Sequence, residues 1–168
     1  GGTINSGAET NAIRFTAGPG GSVSLGCTAT NAASSAASGS ATAQVVDAPA
    51  LPVISAPSPV TAGQPGYAAS VPIQAGATYA WTVSGGTLTA GATTQAVTFT
   101  PGASGAVTLG CTVRNAAGTP SAPTSAAADI VPAPDLPVIT APAYVTASEA
   151  GYAASVPAQP GSGYAWTI

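Results

Sequence analysis

The sequence contains no histidine, no lysine and no methionine, and only 4% of its residues are charged, against roughly 25% in an ordinary soluble domain. Without histidine, neither cysteine has a base beside it to act as a nucleophile. Without lysine, an internal Lys–Asn isopeptide crosslink is excluded. The only cations are Arg14 and Arg114, too few to neutralise a phosphate backbone or to bind an anionic membrane surface, so nucleic acid is not expected as a partner. No apolar run reaches the ~18 residues that membrane insertion needs. The acids are Glu9, Asp47, Asp129, Asp135 and Glu149. The glutamates are not duplicated along the chain, and the aspartates fall near linkers, so no paired carboxylates for acid–base work emerge. No metal-ligand set is legible, and no cofactor is expected. Asn5, Asn11, Asn31 and Asn115 all lack the hydroxyl two residues on that a glycosylation sequon requires. These absences point away from an enzyme.

What remains is a chain of 168 residues, 45% hydrophobic, with a net charge of −3. Its surface must be made of Ser, Thr, Gly, Asn, Gln and Ala. So little charge gives little repulsion between copies, and such a surface tolerates close neighbours.

The chain also repeats itself. Residues 1–31 align without gaps on 85–115, at an offset of 84, and residues 52–83 align on 137–168, at an offset of 85. The Pro-rich segments DAPALP (47–52) and PAPDLP (132–137) read as linkers. The organisation expected is the C-terminal half of one repeat at 1–47 and a linker at 48–51. A complete repeat follows at 52–131, a second linker at 132–136, and the N-terminal half of a further repeat at 137–168, completed by a neighbouring copy. Joining YAWTI at the end to GGTI at the start nearly rebuilds the internal YAWTVSGGTL. The expectation is a window of about two periods on a longer periodic object.

Within the complete unit, strands are expected from Val53-Ile54, at 67–71, at 78–83 with Tyr79, Trp81 and Val83 on one face, and at 96–100 with Val97 and Phe99 inward. Two more are expected at 106–113, with Val107, Leu109, Cys111 and Val113 inward, and at 124–131. Gly85-Gly86 reads as a turn. Period-2 alternation between closely spaced turn signals gives about seven strands in two sheets. The alanines at 32–43 and 122–128 favour helix weakly, but interleaved Ser, Gly, Thr and Pro argue against it.

The run from Tyr79 to Leu88 (YAWTVSGGTL), with Val97 to Gly118 (VTFTPGASGAVTLGCTVRNAAG), is echoed by Tyr164–Ile168 and by Ile13–Ala33. These segments resemble immunoglobulin-like and PKD-like (polycystic-kidney-disease-like) tandem repeats of long bacterial secreted or cell-surface proteins. The resemblance implies an all-β fold of tandem immunoglobulin-like sandwiches in a filament or extended array, located outside the cell or on its surface. It implies a structural repeat of a fibre, stalk or adhesin shaft, whose partners are copies of itself or adjacent repeats, head to tail. The alternative is a carbohydrate-binding or adhesive module with surface glycans as ligand. The chain departs from the family in having one cysteine per repeat, where the inter-sheet disulfide of immunoglobulins needs two. It also lacks the Asp/Asn clusters of calcium-binding relatives.

The residues expected in the structural core are Trp81, Trp166, Phe15, Phe99, Leu25, Leu109, Cys27 and Cys111. The cysteines read as small buried hydrophobes with reduced thiols, against the alternative of an inter-domain or intermolecular disulfide. Cys27 and Cys111 should not bond each other, because they fall in different sandwiches. The tryptophans read as sheet-centre core, with sugar stacking as the rival. Tyr144, whose counterpart is Pro59, is expected at the surface.

Overall fold

The computed structural model describes residues 1–168. The chain is all-β, with 43% of residues in strands and no helix. Two hairpins come first. In one, β1 (Gly2–Ser6) pairs antiparallel with β2 (Arg14–Ala17). In the other, β3 (Ser22–Thr30) pairs antiparallel with β4 (Ala36–Gln44). The alanine-rich stretch at 36–44 is therefore strand, its residues exposed along their whole length.

The central unit carries seven strands. These are β5 (Val60–Thr61), β6 (Tyr67–Ser70), β7 (Thr78–Ser84), β8 (Gly86–Ala90), β9 (Ala96–Pro101), β10 (Ala106–Arg114) and β11 (Thr124–Val131). They form a four-stranded sheet in the order β5-β11-β10-β7 and a three-stranded sheet in the order β6-β9-β8. Alternation decides which side chains face the space between them. Along β10, Val107, Leu109, Cys111 and Val113 are buried, and the residues between them are not. The same period buries Val97 and Phe99 on β9 and Tyr79 and Trp81 on β7. With Val60, Ala69, Val71, Ala128 and Ile130 they make one core of 13 residues. Phe99 is wholly enclosed and packs its ring 5.9 Å from that of Tyr67, centre to centre. The expected β-sandwich is thus present.

The polar ends of the large aromatics are each satisfied, as burial demands. Trp81 donates its indole N–H to the Thr94 carbonyl at 2.8 Å. The Tyr79 hydroxyl accepts from the Gln74 amide at 2.9 Å, and that of Tyr67 accepts from Thr61 at 2.7 Å.

Two local readings need correction. The chain does not turn back at Gly85-Gly86. It crosses from one sheet to the other there and continues at once as β8. Gly85 takes a φ of +72°, and a Cβ would collide with the Ala106 carbonyl, so the crossing needs glycine. Nor does Val53-Ile54 start a strand. Pro52, Pro57 and Pro59 cannot donate to a ladder, and only a single bridge, Ser55 to Ser70, forms before β5.

Residues 132–168 contain no strand. Their local contacts nevertheless copy those of 47–83. Thr140 bridges Ser155 as Ser55 bridges Ser70. The Tyr152 hydroxyl takes the Thr146 amide at 2.8 Å, as Tyr67 takes that of Thr61, and Gln159 N–H reaches Tyr164 as Gln74 reaches Tyr79.

Candidate functional site

No group of three or more Cys, Asp or Glu side chains stands close enough together to hold a metal ion, and the two arginines belong to different sheets. Three titratable groups are shifted. Burial pushes the Cys111 thiol up. Hydrogen bonds from Thr61 lower Tyr67, and those from Tyr152 and Thr146 lower Glu149. None faces a second acid or base in a cleft. The features that stand out are the contacts of the Pro-rich segments and the open sheet faces.

The linkers are the first such feature. The Gln74 side chain grips Ala50 twice, accepting its amide at 2.9 Å and donating to its carbonyl at 3.0 Å. One repeat on, Gln159 grips Asp135 in the same way, at 2.8 and 2.9 Å. Asn115 ties down the same first linker by donating to the Asp47 carbonyl at 2.8 Å. It can reach because its own turn is rigid, its Oδ1 accepting the amides of Ala117 and Thr119. Asn31 holds the matching turn in the first hairpin pair, through Ala33 and Ser35. Thr124 Oγ1 adds a bond to the Pro52 carbonyl at 2.7 Å. Each Pro-rich segment is therefore strapped to a glutamine 24 residues further along the chain. The signal for it in the sequence is the recurrence of Gln74 at Gln159 and of Asn31 at Asn115.

The second feature is the contrast between equivalent residues. Of the eight expected core positions, Trp81, Phe99, Leu109 and Cys111 are buried in the central sandwich. Their counterparts differ. Phe15 is 38% exposed and Trp166 is 52% exposed, Leu25 is half-buried and Cys27 is exposed. These four do not lie in a closed core within this chain. The reason is geometric: β1 to β4 form only two-stranded hairpins and 132–168 form no strand, so no second layer of this chain covers these side chains. Ile4, Ile13, Tyr152, Tyr164, Val138, Ile139 and Val145 are uncovered with them. Both cysteines are free. Tyr144 is 93% exposed.

Residues 48–127 match the sequence model of the PKD-like domain. Over these residues the central sandwich is similar to a PKD-like domain. No curated protein matches the chain. PKD-like domains are common in extracellular and surface proteins and are typically non-catalytic, which suits a site made of linker straps and open sheet faces. The matched span starts at residue 48 and so includes Ala50, which Gln74 grips.

Proposed function

We propose that this chain is a non-catalytic structural repeat of an extracellular fibre, stalk or adhesin shaft that extends head to tail. The single observation that carries this is the linker strap, made by Gln74 on Ala50 and repeated by Gln159 on Asp135. A linker held by both its amide and its carbonyl loses the freedom that lets domains tumble independently. The same device at two successive junctions favours a stiff array over beads on a string. The low charge agrees, since close neighbours meet little repulsion.

Imaging of native material tests the proposal, with rods of regular repeat expected. Compact, isolated particles of the chain's own 15.7 kDa would sink it. An adhesive reading starts from Tyr144. A glycan array that lights up with the native chain and goes dark with Tyr144→Ala would favour that reading.

A further inference from the structure

We propose that copies of this chain associate side by side, through an apolar ridge that Leu51, Val53 and Ile73 present and that Leu136 and Val138 repeat. This goes beyond the shaft reading, which concerns growth along the chain and not contact between chains. The ridge follows from how two segments are tied together. Residues 50–55 run antiparallel beside 70–74. At one end Ser55 and Ser70 exchange backbone hydrogen bonds of 2.8 and 2.9 Å. At the other the Gln74 side chain holds both the amide and the carbonyl of Ala50. Pro52 is buried and Ile54 packs against the core. Alternation then turns Leu51 and Val53 outward, where they are 61% and 70% exposed. Ile73 lies between the same two ties and is exposed as well. Single aliphatic side chains scattered over a surface are ordinary. These three are held together.

The same construction recurs 85 residues on. Thr140 and Ser155 exchange the equivalent backbone bonds, and Gln159 holds Asp135. Between these ties Leu136 and Val138 are 88% and 68% exposed, and Ala158 takes the place of Ile73. The complete sandwich follows Leu51 and precedes Leu136, and it covers neither. Val53 stays open although the sandwich it leads into is closed. A sandwich on either side therefore leaves the ridge uncovered. Two features make the occupant a second copy. Ridges set one repeat apart are matched in spacing by another copy of the chain, ridge for ridge. Each ridge is also small. Three aliphatic side chains fall well short of the ~1,200–2,000 Å² that a stable pair buries in total. A partner is held only by engaging ridges in series, where each contact after the first forms at high effective concentration. With 4% of residues charged, little repulsion opposes such close approach.

Sedimentation of the whole reduced chain, up to millimolar concentration, is the first test. Reversible pairs are expected. Replacing Leu51, Val53, Leu136 and Val138 together by Ser should raise the dissociation constant about tenfold or more. Melting of the central sandwich should stay unchanged, because these side chains already face water. Ile4→Ser with Trp166→Ser, which removes exposed apolar side chains away from the ridges, should leave pairing as it was. Val53→Cys with Val138→Cys in a Cys27→Ser background gives a second readout. Mild oxidation should yield disulfide-linked pairs, mapping 53 to 53 if the chains run the same way and 53 to 138 if they run opposite ways. A wild-type chain monomeric throughout overturns the proposal, as do a four-serine chain that pairs like wild type, pairing lost only with Ile4 and Trp166, or no linked pairs on oxidation. In native material, rods that lie singly defeat side-by-side association and leave the shaft reading standing. Paired chains in solution with no rods in native material defeat the shaft reading alone.

Discussion

Cys27 and Cys111 have the same neighbours in sequence and opposite fates in space, one exposed and one buried. Brief alkylation of the native chain is expected to add one label, at Cys27, and alkylation in denaturant two. Peptide mass mapping checks both. Burial raises the Cys111 pKa, which disfavours the thiolate in the folded state. Its contribution is intact below the ordinary thiol value of about 8.5 and is lost as pH rises beyond that, since the unfolded chain then ionises first. Urea midpoints should therefore fall on the alkaline side, and less so for Cys111→Val. Phe99 and Phe15 make a similar pair. Phe99→Ala should cost about 3–5 kcal/mol, a large share of a small domain's ~5–15 kcal/mol. Phe15→Ala should leave the central unit's urea midpoint in place, because Phe15 lies outside that core.

At the level of elements, most of the central sheet was legible. The alternation of VxLxCxV on β10 and YxW on β7 places those residues inward with no help from tertiary structure. β8 was not legible, for GTLTA offers one large apolar residue, Leu88, and begins with a glycine that reads as turn. β5 was missed because two residues between prolines make no pattern; its partner β11 lies about 70 positions away and pairs with it in parallel. The segment 163–168 shows the limit from the other side. It has the residues of β7, but a strand is defined by its neighbour, and this one has none in the chain. Phe15, Cys27 and Trp166 are exposed and Leu25 half-buried in the single chain because no second layer of this chain covers them. The linker straps went unread because a glutamine gripping backbone 24 residues away leaves no alternation pattern, only its recurrence at Gln159. They are testable: Gln74→Ala should speed amide exchange at Ala50 and sharpen proteolysis at 47–51, at a stability cost of about 1–2 kcal/mol. Asn115→Ala should likewise sharpen proteolysis at 47–51, by freeing the Asp47 carbonyl, and should also loosen its own turn.

For the molecule as a whole, protection should be uneven. Exchange of backbone amides is expected to be slowest on β7, β9 and β10, whose residues build the core, and fast through 132–168 outside the few amides with a partner, such as Asp135, Thr140, Thr146, Ser155 and Gln159. Hydrogen-exchange mass spectrometry resolves these segments, and uniform protection would contradict the picture. The parallel pairing of β5 with β11 has a mechanical side. Val60 lies against Ile130 and Thr61 against Val131, and the Ala62 amide bonds the Val131 carbonyl at 2.8 Å. Tension along the chain enters the unit ahead of β5 and leaves it after β11. Since the two strands run the same way, that tension slides them past each other, stretching their bonds together where an antiparallel hairpin would part them one at a time. A tethered molecule pulled from its ends should resist until one abrupt rupture, then lengthen by on the order of 250 Å as residues 52–131 pay out at about 3.3–3.6 Å each.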